Sequence, residues 1–306
     1  MRRISIKDVI TDKISGEWGD EALDTRGVVV IRAANFLNSG KINFSNLIRR
    51  EIDQKKIEKK KLISGDIIIE KSGGSPTQPV GRVVIFQNPD DDTYLCNNFT
   101  SILRPNRSQI HPEFLFYLLS DNHKKGKTLG YQNKTTGIIN LKLDSYLDSE
   151  ILVPSLDDQI RIAHLLGKVE GLIAQRKQHL QQLDDLLKSV FLEMFGDPMR
   201  NVKHKISTLG PFIRHLTSGG RGWAKYYSLS GKRFIRSLDV QMNRIGSEET
   251  VFVNPPHNKE TERTKIQSGD VLLTITGSKI GRVCYVPEAF EEAYVSQHVA
   301  IIRTEG

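Results

Sequence analysis

The strongest constraint on this sequence is an internal repeat, because four short blocks occur twice and in the same order. Val30–Phe36 resembles Phe234–Val240, and Lys61–Ile69 resembles Lys265–Leu273, with 204 residues between the members of each pair. The other two pairs are Gly81–Val83 with Gly281–Val283 and Asn98–Arg104 with Gln297–Arg303. The spacing changes only in loops rich in Gly, Pro and Ser. Self-similarity at a long period predicts two related domains.

Each copy has the pattern of a domain that mixes strands and helices. Short β-branched runs such as Val28–Ile31, Ile67–Ile69 and Val83–Phe86 are bounded by turn residues, which indicates strands. Ser-Gly-Asp precedes the central strand of both copies, where Gly accepts an unusual φ and Asp bonds to nearby backbone. Pro112 opens a helical stretch near Phe114–Leu119.

A long helix is predicted between the two copies. Ser155 can cap its first turn, and Asp157 and Asp158 suit the positive end of the helix dipole. Apolar residues then recur in steps of three and four, and only Arg176 interrupts the row. The predicted pairing residues are Leu166, Val169, Ile173, Leu180, Leu183, Leu187, Val190 and Met194. Gly196 and Pro198 end a helix of about 60 Å, which either binds a partner or packs on its own domain.

These features define the predicted fold class and domain boundaries. The fold class is α/β (mixed α+β), with two repeated domains built on curved β-sheets and separated by a long coiled-coil-type helix. The first domain is predicted at 1–153, the helix at 154–196 and the second domain at 197–306. We expect the second domain to be incomplete at its C-terminal end, because no counterpart of the helix near Phe114–Leu119 follows Arg303.

Charge favours a polyanionic partner for both copies. The net charge is +8, with 23 Lys and Arg against 19 Asp and Glu in residues 1–153 and 16 against 11 in residues 197–306. Basic domains bind phosphates with the release of counterions. The longest apolar runs are too short to span a membrane, the N-terminus has no signal-peptide pattern, and Cys96 and Cys284 lack metal-ligand spacing. We therefore predict a cytoplasmic protein.

Motifs for catalysis are weak. Asn254-Pro255-Pro256-His257 resembles the motif with which amino-methyltransferases hold the target amine, but His257 replaces the aromatic residue and no cofactor loop precedes it. Thr276–Arg282 is rich in Gly but lacks the Gly-Lys-Ser/Thr end of a phosphate loop. Asp66, Glu70 and Lys71 could form a nuclease site, yet the second copy does not repeat it. We predict a protein without catalytic residues, metal or cofactor.

Binding of a polyanion such as nucleic acid is the remaining expectation from the charge, and two polar loops and one basic segment are candidates for it. Gly allows backbone to approach phosphate, Ser, Thr, Asn and Gln can bond to base edges, and Lys and Arg can bind phosphate or guanine. The predicted DNA-binding residues of the first copy are Lys71, Ser72, Ser75, Thr77, Gln78 and Arg82, together with Lys127, Tyr131, Gln132, Asn133 and Lys134. Those of the second copy are Thr276, Ser278, Lys279 and Arg282. The lysines between Lys55 and Lys61 are more typical of a solvated face.

The junction before the helix resembles a known family. Ile151–Ala163, with Pro154, Asp158 and Gln159, and the run Ser189–Gly196 are similar to the central region of the specificity subunits of type I restriction-modification systems. In that family a proline, an acidic residue, a Gln and an Ile-Ala pair open a long helix between two target-recognition domains. Asp158 stands where Glu is usual. The family also has a second long helix after the second domain, which the sequence does not contain after Arg303.

The resemblance implies a function in DNA modification and defence against foreign DNA. It implies a truncated, non-catalytic specificity subunit that binds double-stranded DNA, with each domain reading one half of a bipartite site. Its expected partners are methyltransferase (modification) subunits, which bind S-adenosylmethionine, and an ATP-driven restriction subunit. A homodimer through the central helix is a further expectation. The alternatives are the recognition domain of a fused methyltransferase or restriction enzyme, and a coiled-coil assembly factor that does not bind DNA.

Overall fold

A computed structural model describes residues 1–22, 27–75, 77–135, 138–197, 207–246 and 249–304, with only the backbone of residues 134 and 135. The chain divides into two compact units, Met1–Leu186 (unit 1) and Leu187–Gly306 (unit 2). The division falls within one long helix.

Unit 1 contains thirteen described strands and three short helices, and the long helix begins in it. The strands are β1 (Arg2–Ser5), β2 (Ile10–Ser15), β3 (Asp20–Glu21), β4 (Val28–Ile31), β5 (Ile48–Glu51), β6 (Ile67–Glu70), β7 (Ser72–Gly74), β8 (Val83–Ile85), β9 (Tyr94–Cys96), β10 (Thr100–Pro105), β11 (Gln132–Thr135), β12 (Ile138–Leu141) and β13 (Glu150–Val153). The helices are α1 (Gln54–Lys60), α2 (Pro112–Lys124), α3 (Leu143–Leu147) and α4 (Leu156–Phe195).

The strands of unit 1 form two four-stranded sheets and two smaller ones. The larger sheets have the orders β2-β10-β6-β8 and β3-β5-β4-β9, and the smaller ones are β11-β12-β7 and β1-β13. Strand β6 is buried on both faces because its side chains alternate: Ile67 and Ile69 pack with Leu115 of α2, whereas Ile68 packs in a second cluster with Phe86. The β1-β13 pair joins the start of the chain to the strand that leads into α4.

Unit 2 contains ten described strands and one short helix. They are β14 (Ile213–Ser218), β15 (Tyr227–Ser228), β16 (Lys232–Ile235), β17 (Val240–Gln241), β18 (Arg244–Ile245), β19 (Val251–Val253), α5 (Lys259–Thr264), β20 (Val271–Thr274), β21 (Val283–Tyr285), β22 (Ala293–Val295) and β23 (Val299–Thr304). Two four-stranded sheets have the orders β14-β23-β20-β21 and β15-β19-β16-β22, and β17 pairs with β18.

The topology confirms the internal repeat. Sheet β14-β23-β20-β21 has the strand order of β2-β10-β6-β8, and β15-β19-β16-β22 has that of β3-β5-β4-β9. Even the mixed pairing recurs, because β4 and β16 each have one antiparallel neighbour and one parallel neighbour. The mixed α/β fold with a long helix is therefore as predicted.

The repeated Ser-Gly-Asp motif has the same structural role in both units. Gly65 and Gly269 adopt φ values of +94° and +86°, a left-handed conformation that favours glycine. The Asp that follows accepts a backbone N–H bond, 2.9 Å from Ile63 in unit 1 and 2.7 Å from Gln267 in unit 2. The motif therefore shapes the turn into β6 and into β20.

The same two carboxylates also anchor the strand that pairs with β6 or β20, which is β10 in unit 1 and β23 in unit 2. Arg104 of β10 donates two hydrogen bonds of 2.9 Å to Asp66, and Arg303 of β23 donates bonds of 2.6 and 2.8 Å to Asp270. Both Asp side chains are fully buried, and the hydrogen bonds raise the pKa of each guanidinium. A buried carboxylate held in this way ties the turn to the neighbouring strand.

Candidate nucleic-acid interface

The structure brings together the two segments of unit 1 that are predicted to bind DNA. Strand β12 lies between β7, which begins at Ser72, and β11, which begins at Gln132. Gln132 Nε2 also donates a 3.2 Å hydrogen bond to the carbonyl of Val80. The described parts of residues 71–82 and 127–134 are therefore neighbours, and we call their exposed residues the unit 1 loop surface.

The tip of this surface is a tight turn. Ser75 and Gln78 exchange backbone hydrogen bonds of 2.9 and 3.1 Å, and the Ser75 hydroxyl also accepts from the Gln78 N–H at 3.1 Å. The hydroxyls of Ser75 and Thr77 lie 3.1 Å apart. Thr77 and Gln78 are exposed, so their side chains are available to a ligand.

At the base of the surface, the side chains of Ser72 and Lys71 form hydrogen bonds with other residues of unit 1. The Ser72 hydroxyl bonds to the side chain of Asn140, and Lys71 Nζ lies 2.5 Å from Ser15 Oγ. Burial lowers the pKa of the Lys71 ammonium below its usual range. Ser72 and Lys71 therefore each use one side-chain hydrogen bond within unit 1.

Arg82 has a structural partner that its sequence context did not reveal. Its guanidinium donates hydrogen bonds of 2.7 and 3.2 Å to the carboxylate of Glu70, which is 5% exposed. A third bond reaches the Ala33 carbonyl at 3.3 Å, and the ring of Phe36 lies 5.8 Å away. The charge of Arg82 is therefore largely compensated within unit 1.

The second segment of the loop surface is mostly exposed. Lys127 and Asn133 face solvent, and the partly buried ring of Tyr131 packs edge-on against Tyr146 at 5.4 Å. Lys134 lies in β11, and its side chain is outside the described residues. Nearby, burial lowers the pKa of His123, whose Nδ1 lies 3.1 Å from Thr128 Oγ1, so this imidazole favours the neutral form.

The corresponding loop of unit 2 connects β20 to β21 and differs in its electrostatics. Thr274 takes the place of Glu70, and its buried hydroxyl has no hydrogen-bond partner among the described residues. No ion pair involves Arg282 in the part of the chain that the structure describes. Thr276 bonds to His298, whereas Ser278 is exposed and Lys279 is half-exposed. Arg282 therefore lacks the compensating carboxylate that Arg82 has.

The beginning of α4 is firmly attached to unit 1. Ser155 caps the helix, because its hydroxyl accepts the Asp158 N–H at 3.3 Å and donates to the Asp158 carboxylate at 2.7 Å. Gln159 is 1% exposed and makes three hydrogen bonds: it accepts from His111 N–H at 2.8 Å and donates to the carbonyls of Gln109 and Pro154. In the sequence, Gln159 stands out only by family resemblance, and these bonds explain why a Gln is needed there.

Beyond its attachment, α4 presents a broad apolar face. The predicted pairing residues are 40–62% exposed, from Leu166 at one limit to Leu187 at the other. Leu165, Leu172 and Leu186 lie one position before residues of that row and are also exposed. Three apolar positions per heptad are typical of a helix in a bundle, whereas two are typical of a simple coiled-coil pair.

The acidic and cysteine residues have local roles. Asp66 and Glu70 are each paired with an Arg, and among the described residues no group of three or more His, Cys, Asp or Glu could hold a metal. Burial raises the pKa of both thiols, Cys96 and Cys284, to about 11. Asn254–His257 forms the loop that precedes α5. No helix in the described parts of the chain has the length and hydrophobicity to cross a membrane.

Comparison with known proteins identifies relatives of the chain. The family model of the type I restriction modification DNA specificity domain matches residues 4–184. A putative type I restriction enzyme MjaX specificity subunit from Methanocaldococcus jannaschii is 24% identical over 192 residues, which cover 62% of this chain and 44% of that protein. The HindI specificity subunit from Haemophilus influenzae is 24% identical over 167 residues, or 53% of this chain and 35% of that protein. The chain thus matches less than half the length of either curated relative.

Solved structures share the fold. The S subunit of a type I restriction-modification system from M. genitalium has a TM-score of 0.58 and 16% identity, over all of this chain and 72% of that one. A chain from a structure of type I R-M complex assembly and conformational transition has a TM-score of 0.51 and 16% identity, over 99% of this chain and 75% of that one. At this identity the likeness shows the fold alone. Because the family model covers more than half of the sequence, the chain belongs to the type I restriction-modification DNA specificity family.

Proposed function

We propose that the chain is a non-catalytic, cytoplasmic specificity subunit that binds double-stranded DNA. Residues 1–153 and 197–306 act as two recognition domains, each reading one half of a bipartite site, and residues 154–196 form the helix between them. The domains contact DNA through the unit 1 loop surface and through the loop between β20 and β21. The chain itself needs no cofactor, and the chemistry belongs to partner subunits of the same system.

The observation that carries this proposal is the duplicated pair of four-stranded sheets. In both units a polar, Gly-containing loop leaves the strand that follows Ser-Gly-Asp, at the same place in the sheet. Two equivalent loops on one chain suit a DNA site made of two separate halves. The exposed hydroxyl and amide groups of these loops can bond to base edges, and the basic residues can bind phosphates.

The apolar face of α4 is proposed to bind other proteins. Its partners are the methyltransferase and restriction subunits and, in a homodimer, α4 of a second copy. The width of the apolar face supports a helical bundle. In such a bundle, one side of α4 packs against another helix and the neighbouring side packs against a different subunit. Exposed apolar surface of this extent is typical of a protein interface.

The proposed function is tested by mapping DNA methylation in host cells with and without the gene. We expect methylated adenines at a bipartite motif in which two short defined blocks flank an undefined spacer, and we expect those marks to disappear when the gene is deleted. Identical methylation in the two strains, together with no salt-dependent binding of the purified chain to DNA, would favour the assembly-factor alternative.

The role of the helix is tested by sedimentation of purified variants. Leu180→Glu with Leu187→Glu should convert a dimer to a monomer at micromolar concentration, because two buried charges in the row oppose pairing. Gln178→Glu with Gln182→Glu adds the same charge to positions outside the row and serves as the matched control. A wild-type monomer, or a dimer that tolerates both Leu substitutions, would exclude this row as the dimer contact.

A further inference from the structure

A concave pocket of about 530 Å³ opens in unit 1 beside the loop surface. Three separate parts of the chain each contribute a lysine: Lys13 lies in β2, Lys71 follows β6, and Lys142 follows β12. The backbone holds two of them together, because the N–H of Leu141 donates a 2.8 Å hydrogen bond to the Lys71 carbonyl. Three serines, Ser15, Ser101 and Ser145, add hydroxyl groups to the lining.

The pocket has an excess of positive charge. Lys13 forms an ion pair with Asp144, the one carboxylate among the described lining residues. Within the described parts of the chain, neither Lys71 nor Lys142 takes part in an ion pair. The contact of Lys71 with Ser15 is to a neutral hydroxyl. One carboxylate against three ammonium groups leaves a site that favours an anion.

The partial burial of Lys71 also favours binding of an anion. Burial is the largest cause that lowers the pKa of its ammonium, and the charges of Lys60 and Lys13 contribute to the decrease. A partly buried cation without a carboxylate partner is less stable than the same cation in water. A bound anion would offset this loss of hydration.

On the basis of the proposed DNA-binding function, we infer that this pocket binds a phosphate group of the DNA backbone. Phosphate is the chemistry that fits, because ammonium and hydroxyl groups donate to its oxygens without planar geometry. Among the described lining residues there is no Asn, Gln or Arg, the side chains that most often read base edges. Since Lys71 directly precedes the loop predicted to read bases, a phosphate held here would fix the position of that loop on the duplex.

Among the described residues of unit 2, the positions equivalent to Lys13 and Lys71 are not basic. The strand registers place Ser15 opposite Ser101 and Ser218 opposite Ala300, so Leu216 corresponds to Lys13. Ile275 follows β20 as Lys71 follows β6. Both replacements are apolar and exposed. The phosphate contact of this pocket is therefore assigned to unit 1.

The salt dependence of DNA binding by the full chain tests this site. Lys71→Gln combined with Lys142→Gln should reduce the steepness of log affinity against log salt by about 0.9, for duplexes of any sequence, because the two changes together remove the contact to the one phosphate that the pocket binds. Lys71→Arg should keep the wild-type slope. Lys59→Gln, which removes a positive charge from the exposed side of α1, is the control and should leave the slope unchanged.

The outcomes separate this site from the broader function. If the wild-type chain binds DNA and the combined Lys71 and Lys142 variant keeps its slope, the phosphate site is wrong and the proposed function stands. If the wild-type chain binds no duplex at low salt, both are wrong. Calorimetric titration with inorganic phosphate is the last experiment. If phosphate binding depends on Lys71 while the salt slope of DNA binding is unchanged in the variants, the pocket binds a free anion and the proposed contact with the DNA backbone is wrong.

Discussion

The two units share an internal framework and differ at the ends of the same strands. Both keep the pair of a buried Asp and a partly buried Arg that ties the Ser-Gly-Asp turn to the neighbouring strand, β10 in unit 1 and β23 in unit 2. At the strand ends, Glu70 and Lys71 of unit 1 are replaced by Thr274 and Ile275 of unit 2. The difference indicates that the framework depends on buried ion pairs, whereas the loops can change their chemistry without changing the sheet order.

The largest expected effect concerns what the units share. Asp66→Asn and Asp270→Asn should each lower the free energy of unfolding of their own unit by about 3 kcal/mol, because the partner Arg loses its buried counter-charge. Urea unfolding followed by hydrogen exchange and mass spectrometry reports on each unit separately. Asp148→Asn, which breaks an exposed pair with Lys7, should cost less than about 1 kcal/mol.

The losses of unfolding free energy in the two Asp variants show whether both units depend on the same ion pair. Equal losses in the two units would confirm that the pair is the common framework element. A loss below about 1 kcal/mol in one unit would show that its framework is held in another way.

A second expected effect concerns the Arg at the end of each loop. Arg82→Gln should destabilise unit 1 by about 2 kcal/mol, since it leaves the buried Glu70 without its partner, and should hardly change the salt slope of DNA binding. Arg282→Gln should reduce that slope by about 0.9 and leave stability almost unchanged. The reverse pattern would mean that Arg82, despite Glu70, is the phosphate contact.

Sequence patterns predicted the helix and the turns, because these depend on residues close together in the chain, and they predicted the repeat because its short blocks occur twice in the same order. Ser-Gly-Asp could be interpreted from the conformational needs of Gly and the short reach of Asp. The Arg partners could not, because Arg104 lies 38 residues and Arg303 33 residues beyond their carboxylates. The helix cap at Ser155 could also be predicted, because its hydroxyl bonds to backbone only three residues away.

Prediction of the candidate site was limited by long-range contacts. The loop after β6 and the segment near Tyr131 were identified separately, and their adjacency depends on the sheet β11-β12-β7. Lys13 and Lys142 were missed, because no local pattern relates them to Lys71. That these residues bind DNA stays a prediction.

The smallest expected effect is an acid sensitivity in unit 2. Hydrogen bonds from Lys232 and Tyr294 lower the pKa of Glu292 to about 2, from 4.5. The stabilisation is fully present above about pH 4.5 and is lost as the pH falls towards 2. Because Glu292 is partly exposed, we expect less than about 1 kcal/mol between about pH 6 and about pH 3. Thr93 occupies the corresponding position in unit 1.

The control for this effect is Glu292→Gln. It should remove this part of the pH dependence of unfolding in unit 2 and leave unit 1 unaffected. A variant with the same acid sensitivity as the wild-type chain would assign the effect to other carboxylates.

The central claim is that each repeat reads its own half of a DNA site, and the most direct test is selection of bound duplexes from a randomised pool. The full chain should select two defined blocks separated by an undefined spacer. Gln78→Ala should relax the preference in one block only, and Ser278→Ala in the other only, because each exposed side chain belongs to the loop of one unit. A single continuous motif, or the loss of both blocks with either substitution, would contradict independent reading by the two units.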